Sequence, residues 1–117
     1  MLVISDTNIL SSLAAAEAVS LLFRLFPNTT IYIPPAVHLE LQTGLTYGQT
    51  HLEPILQAIG GKLQILHLSE NEQELAQGLP RKLNAGEREA IALSKNRRSR
   101  LLSNDKQAVR YCRQKVL

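Results

Sequence analysis

Five acidic residues could together hold a metal ion, because each lies near a predicted strand end or in a neighbouring helix. They are Asp6, Glu40, Glu87, Glu89 and Asp105. Carboxylates gathered within a few ångströms raise one another's pKa, so such a group needs cations. Mg²⁺ and Mn²⁺ take oxygen ligands and bridge to phosphate oxygens, and a bound ion activates water for attack on phosphorus. The pattern favours metal-dependent hydrolysis of phosphodiester bonds.

Each of these carboxylates also has a purely structural interpretation. Asp6 and Asp105 could cap the helices that follow them, and Glu87 has the spacing of a capping box with Asn84. Glu40 differs, because it lies outside the first turn of its predicted helix and helix-end electrostatics gives it no role. Singly the signals are weak, and it is their combination and order that favour a metal site.

Short apolar runs alternate with helical patterns along the chain, and these elements must position the carboxylates. Strands are predicted at residues 2–4, 30–33, 63–66 and 100–103, and helices at 9–26 (one or a pair), 36–42, 50–58, from Ser69, from Asn84, and at 105–113, with a loop at 44–48. Strands separated by helices predict a three-layer α/β/α sandwich with a short central parallel sheet. Ligands of such sheets bind at the carboxyl ends of the strands. If the first and fourth strands are neighbours, Asp6 and Asp105 share that edge.

Composition predicts one globular domain over residues 1–117, with 44% hydrophobic and 20% charged residues. Cys112 is the single cysteine, which excludes an internal disulfide and a cysteine-based zinc site and fits a reducing cytoplasm. Glu17 and Arg24 interrupt the apolar stretch 9–26, which argues against a membrane span. The net charge of +3 permits an anionic partner such as RNA without requiring one.

Basic residues near the end of the sequence are candidates for contact with RNA phosphates. They are Arg97, Arg98, Lys106 and Arg110. The alternative for each of them is a solvated basic surface.

Four segments together resemble the PIN-domain ribonuclease family, in particular its VapC-like bacterial and archaeal branch. They are residues 3–8 (VISDTN), 33–40 (IPPAVHLE), 86–91 (GEREAI) and 101–105 (LLSND). The resemblance spans nearly the whole chain in the family's order. It implies a PIN-like sheet with a carboxylate-lined cleft for Mg²⁺ or Mn²⁺, single-stranded RNA as substrate and, in many members, a small antitoxin protein as partner.

The same resemblance assigns roles to individual residues. Asp6, Glu40, Glu87 (with Glu89 competing for the position) and Asp105 match the catalytic and metal-binding carboxylates, and Asn8 and Ser103 match polar positions that orient them. One departure is that the sequence stops after the predicted last helix, so the sheet is expected to lack the family's last edge strand. An uncovered edge invites pairing with another chain, which makes a homodimer an additional expectation.

Three functions stay open at this point. The leading one is a metal-dependent endoribonuclease that cleaves single-stranded RNA, as the toxin of a toxin–antitoxin pair. The second is a catalytically weak or inactive module of the same fold that binds nucleic acid or regulates. The third, an aspartate phosphoacceptor, is weakened because Asn8 stands where such proteins carry a second aspartate.

Overall fold

The computed structural model describes residues 2–103, in which four strands alternate with helices. The elements are β1 (Leu2–Ser5), α1 (Thr7–Ala15), α2 (Val19–Leu25), β2 (Ile31–Ile33), α3 (Pro35–Thr46), a 3₁₀ turn (Thr50–Leu52), α4 (Glu53–Gln57), β3 (Leu63–Ile65), α5 (Glu70–Gln77), α6 (Ala85–Asn96) and β4 (Ser99–Leu102). All four predicted strands are present. The predicted helix at 105–113, with Asp105, Lys106 and Arg110, and the question of a further edge strand lie outside the described residues.

The four strands form one parallel sheet in the order β3-β2-β1-β4. β1 therefore lies between β2 and β4, with Val3 opposite Ile31 on one side and Ser5 opposite Leu102 on the other. The adjacency of the first and fourth strands, on which the predicted site depended, is confirmed. Both strands end at the same edge, so the residues that follow them are brought together.

Successive residues of β1 face opposite sides of the sheet, and each side is covered by its own helices. Val3 packs in a cluster that includes Leu10 of α1 and Val37 of α3. Ile4, which is fully buried, packs with Ala90 and Leu93 of α6 on the other side. Because side chains alternate along a strand, one short strand supplies both cores. The predicted three-layer α/β/α sandwich is confirmed.

The predicted end of α3 was wrong. The helix continues past Gln42 and through Gly44 to Thr46, where the sequence had indicated a loop. A Cβ atom on Gly44 would lie 2.6 Å from Leu52 Cδ1 and 2.7 Å from Gln49 Oε1. Glycine therefore serves close packing here and does not end the helix, although its intrinsic helix propensity is poor.

Two other helical segments also differ from the simple prediction. The segment 50–58 is divided into the 3₁₀ turn and α4, with Pro54 within the first turn of α4, a position where its missing N–H costs nothing. The segment 9–26 is the pair α1 and α2, bent by 119° at the break. Within residues 2–103 no single helix is long and apolar enough to cross a membrane, and the bent pair qualifies only by combined length and composition.

Candidate active site

Asp6 lies directly after β1 and its side chain is 1% exposed. Its Oδ1 accepts a hydrogen bond from the Ile9 backbone N–H at 3.1 Å, which caps α1. Its Oδ2 accepts from the Ser103 hydroxyl at 2.6 Å, and its own N–H donates to the Leu102 carbonyl at 3.2 Å. The capping interpretation of Asp6 is therefore correct. It is compatible with a site, because the same bonds fix both carboxylate oxygens at the sheet edge.

Glu40 reaches the same edge from α3. Thr7, the residue after Asp6, donates its hydroxyl hydrogen bond to Glu40 Oε1, and the Gly86 backbone N–H at the start of α6 donates to Oε2 at 3.2 Å. A Cβ atom on Gly86 would collide with the Glu40 carboxylate and lie 3.0 Å from Val37 Cγ2. Only glycine lets α6 approach α3 this closely, so Gly86 holds Glu40 beside the end of β1.

A second carboxylate also joins α3 and α6, this time from α6 to α3. Glu89 Oε1, on α6, accepts a hydrogen bond at 2.9 Å from the Ala36 N–H in the first turn of α3. Each helix thus offers a carboxylate, Glu40 or Glu89, to an N–H at the N-terminus of the other. We call these two bonds the reciprocal helix contact. Carboxylates are favourable at helix N-termini, and this bond gives Glu89 a capping role on α3.

Glu87 is 6% exposed and forms the predicted capping box of α6. Its backbone N–H donates to Asn84 Oδ1 at 2.8 Å, and its Oε1 accepts from the Asn84 N–H at 3.3 Å. The structural interpretation of this residue is correct. Glu87 follows Gly86, whose N–H binds Glu40, so its backbone lies near Glu40 in space and the capping box does not exclude a second role.

Of the two residues expected to orient the carboxylates, Ser103 bonds to Asp6 as predicted. Asn8 has an exposed side chain, and it is its neighbour Thr7 that contacts Glu40. The sequence did not predict that Thr7 and Gly86 bind the candidate carboxylate Glu40. Both residues lie inside segments that resemble the family, 3–8 and 86–91, but which polar residue of a helix's first turn faces α3 depends on packing that the sequence does not show.

Whether a divalent ion fits is decided by the donor chemistry. Among residues 2–103 there is no group of three or more His, Cys, Asp or Glu side chains placed to hold a metal, and Asp105 lies outside that range. Mg²⁺, however, usually binds through one or two carboxylates and keeps waters and substrate phosphates as its other ligands. Asp6 and Glu40 supply hard oxygen ligands in fixed orientations. The residues present therefore fit such an ion, with Asp6 and Glu40 as its first candidates.

Two of the basic candidates lie after α6 and have different environments. Arg97 forms an ion pair with the fully buried Glu72, with Nε 2.7 Å from Oε2, and also donates to the His67 carbonyl at 3.1 Å. This pairing lowers the pKa of Glu72 to about 2, with Ser69 and Asn96 adding hydrogen bonds. Arg97 therefore has a structural partner that explains it without RNA. Arg98 is exposed and has a φ of 45°.

Fold and site together define an α/β protein with carboxylates at the carboxyl edge of a parallel sheet. A family model described as a PIN domain matches residues 2–116. The chain belongs to the PIN-domain family, which confirms the resemblance seen in the sequence.

A solved structure agrees with this family. A chain in the crystal structure of VapBC2 from Rickettsia felis, bound to a DNA fragment from their promoter, superposes with a TM-score of 0.71 at 19% identity, over 94% of this chain and 92% of that one. At this identity the likeness shows the fold. No curated protein is significantly similar in sequence.

Proposed function

We propose that the protein is a metal-dependent endoribonuclease that cleaves single-stranded RNA. The observation that carries the proposal is the joint placement of Asp6 and Glu40. Asp6 is buried directly after β1, an inner strand of the sheet, and Glu40 accepts a hydrogen bond from the next residue along the chain, Thr7. Two oriented carboxylates at the strand ends of a PIN domain are suited to a divalent ion and a phosphodiester.

Asp6 and Glu40 would hold Mg²⁺ or Mn²⁺, and Glu87 and Asp105 are further candidates. When bound, the ion supplies Lewis-acid chemistry and a water of lowered pKa. The chain's own contribution is orientation. Ser103 and the Ile9 N–H fix the two oxygens of Asp6, while Thr7 and the Gly86 N–H fix those of Glu40. Such hydrogen bonds hold metal ligands in the productive arrangement.

We further propose that the protein is the toxin of a toxin–antitoxin pair in the cytoplasm. The support is the family together with the structural neighbour, which is a VapBC2 assembly bound to promoter DNA. A small antitoxin protein would then be its partner. Co-expression tests this directly: growth arrest on expression of this chain alone, relieved by the product of an adjacent small gene, is expected.

Asp6→Asn tests the nuclease proposal. The substitution keeps an oxygen for the Ile9 N–H but removes the charge, so we expect RNA cleavage with Mn²⁺ or Mg²⁺ to fall by about 100-fold or more. Cleavage of a 5′-labelled single-stranded RNA is the measurement. Glu53→Gln is the matched control, since Glu53 is an exposed carboxylate on α4, and it should cleave like the wild type. Equal cleavage by the Asp6→Asn protein would refute the proposal.

One experiment distinguishes the nuclease from the alternative, a catalytically weak module that binds nucleic acid. Calorimetric titration with Mn²⁺ should show binding that Asp6→Asn weakens, whichever function is correct. Metal binding with no cleavage of any RNA tested would favour the binding module over the nuclease.

A further inference from the structure

A cavity of about 400 Å³ lies between α5 and the first turns of α3 and α6. We call it the α5–α6 cavity. Its lining includes an apolar side chain, two amides, two guanidinium groups and a carboxylate, namely Leu68, Gln73, Gln77, Arg81, Arg88 and Glu89. The volume falls within the range of small-molecule sites, roughly 300–1,000 Å³.

The α5–α6 cavity is next to the candidate active site. Glu89 lines it and takes part in the reciprocal helix contact through Ala36. Glu89 is three residues after Gly86, whose N–H binds Glu40, and three residues of α-helix rise by about 5 Å. A ligand seated here would therefore lie about one helical turn from the Glu40 side of the site.

The chemistry of one wall suits a flat heterocycle. Gln73 and Gln77 are four residues apart on α5, so they share one face of the helix, and both have exposed side chains that line the cavity. Each amide offers two N–H donors and a carbonyl acceptor. Ala76, which lies between them in sequence, and Leu68 add apolar surface. Exposed donors and acceptors beside an apolar surface match the edges and the face of an unstacked nucleobase.

The charges at the cavity suit the phosphates that accompany such a base. Arg88 Nη1 donates to the Leu83 carbonyl at 3.1 Å, which holds the guanidinium at the wall while engaging one of its five N–H groups. Arg81 is exposed and lines the same cavity. The opposing carboxylate, Glu89, already accepts a hydrogen bond from Ala36. The cavity wall therefore carries two positively charged guanidinium groups and one carboxylate, which is already hydrogen-bonded.

We propose that the α5–α6 cavity receives one nucleobase of the single-stranded RNA, adjacent to the bond cleaved at the active site. Gln73 and Gln77 bind the base edge, and Arg81 and Arg88 bind neighbouring phosphates. The inference rests on the proposed ribonuclease function for its substrate class. Its test is made without cleavage, so that the two proposals can fail separately.

The four ribonucleoside 5′-monophosphates are suitable probes in buffer containing EDTA. In ¹H–¹⁵N spectra of the whole chain we expect them to shift the side-chain NH₂ signals of Gln73 and Gln77 and the backbone signal of Arg88. At least one base should bind more tightly than the others by about fivefold, the value of one net hydrogen bond. Shifts that are the same for all four nucleotides, or absent at these residues, would overturn the proposal.

The double substitution Gln73→Leu with Gln77→Leu provides the second measurement. Binding of fluorescent A, C, G and U hexamers should lose its base preference, by about fivefold or more for the preferred base. Gln42→Leu with Gln57→Leu is the control, since these glutamines are exposed on α3 and α4, and the preference should persist. Melting temperatures show whether the variants are folded. If the double variant is unfolded, the nucleotide-induced shifts in the wild type alone test the cavity proposal.

The two proposals give different patterns of failure. If Asp6→Asn abolishes cleavage but the glutamine substitutions leave base preference unchanged, the cavity proposal is wrong and the nuclease stands. If base preference depends on the glutamines but no RNA is cleaved, the cavity proposal stands without the nuclease.

Discussion

At the scale of single residues, Glu72 is a buried carboxylate that the structure holds through several hydrogen bonds. It is fully buried, closes the capping box of α5 through Ser69 and accepts hydrogen bonds from Asn96 and Arg97. Arg97 binds both of its oxygens, at 2.7 and 2.8 Å. A buried carboxylate is stable only with such partners. Glu72 therefore joins the start of α5 to the end of α6.

This ion pair predicts how stability depends on pH. The pKa of Glu72 is about 2 in the folded protein, against 4.5 for an ordinary glutamate, chiefly because Arg97 stabilises the charged form. Since the folded value is the lower one, the stabilisation is complete above about pH 4.5 and is lost as the pH falls toward 2. The difference is worth about 3 kcal/mol. Urea unfolding at several pH values between 7 and 2.5 measures it.

Glu72→Gln is the corresponding variant. It should lower the free energy of unfolding by about 2–3 kcal/mol at pH 7, less than a fully buried pair because the Arg97 side chain is 31% exposed. It should also flatten the acid part of the pH profile. Glu74→Gln, an exposed glutamate of the same helix, should do neither. A Glu72→Gln protein as stable as the wild type would contradict this account.

At the scale of elements, the pairing of α3 with α6 is what brings Glu40 to the end of β1. The reciprocal helix contact and the absence of a side chain at Gly86 act together, because each needs the two helices to approach closely. Its two hydrogen bonds are polar, and the apolar side chain of Val37 on α3 packs close to Gly86 on α6. Any change that separates the helices should therefore disturb Glu40 as well as lower stability.

Gly86→Ala tests this dependence. The added methyl group must displace the Glu40 carboxylate or Val37, so we expect a loss of about 1–3 kcal/mol in stability and a loss of cleavage greater than the unfolded fraction explains. Gly78→Ala is the control, because its Cβ would meet its nearest atoms at an ordinary 3.7 Å. Thermal unfolding and RNA cleavage are measured on both. Full activity in Gly86→Ala would show that Glu40 is not held as described.

At the end of α6 a substitution is expected to raise the stability of the protein, whereas the preceding ones lower it. Arg98 follows the helix with a φ of 45°, a conformation that glycine adopts without the strain of a side chain. Arg98→Gly should therefore raise the free energy of unfolding by up to about 1 kcal/mol. Arg24→Gly, within α2, should instead lower it by a similar amount. Chemical denaturation measures both, and destabilisation by Arg98→Gly would indicate contacts of its side chain that outweigh the strain.

Elements were predicted from sequence better than the contacts between them. Apolar runs and capping boxes at Ser69 and Asn84 are local signals, and the strands and the starts of α5 and α6 followed from them. The continuation of α3 through Gly44 depends on Leu52, which packs against it from another element. The contacts of Thr7 and Gly86 were not predicted for the same reason, since the partner of each is Glu40, more than thirty residues away.

At the scale of the whole molecule, the proposed binding of RNA should show a modest dependence on salt. The chain carries a net charge of only +3, so a few local guanidinium groups matter more than the overall field. Each phosphate contact to single-stranded RNA adds about −0.7 to the slope of log K against log salt. The charges of the α5–α6 cavity should therefore appear in that slope individually.

Arg81→Ala is the variant for this measurement. It should make the slope shallower by about 0.7 and weaken all RNA sequences alike, as read by fluorescence anisotropy in EDTA from 50 to 300 mM KCl. Arg24→Ala, an exposed arginine of α2, should leave the slope unchanged. Identical slopes for the two variants would remove Arg81 from the RNA-binding surface.

The sheet order has a consequence for synthesis of the protein in the cell. The first strand is completed by the last described one, and the hydrogen bond from Ser103 to Asp6 joins residues 97 positions apart. Contacts of such long range form late, after most of the chain is available. A ribosome-bound chain that ends before β4 lacks that strand and also the Ser103 hydroxyl that follows it. For the proposed ribonuclease, we expect incomplete translation products to be harmless to the RNA around them, so that translating ribosomes are protected from the protein they are making.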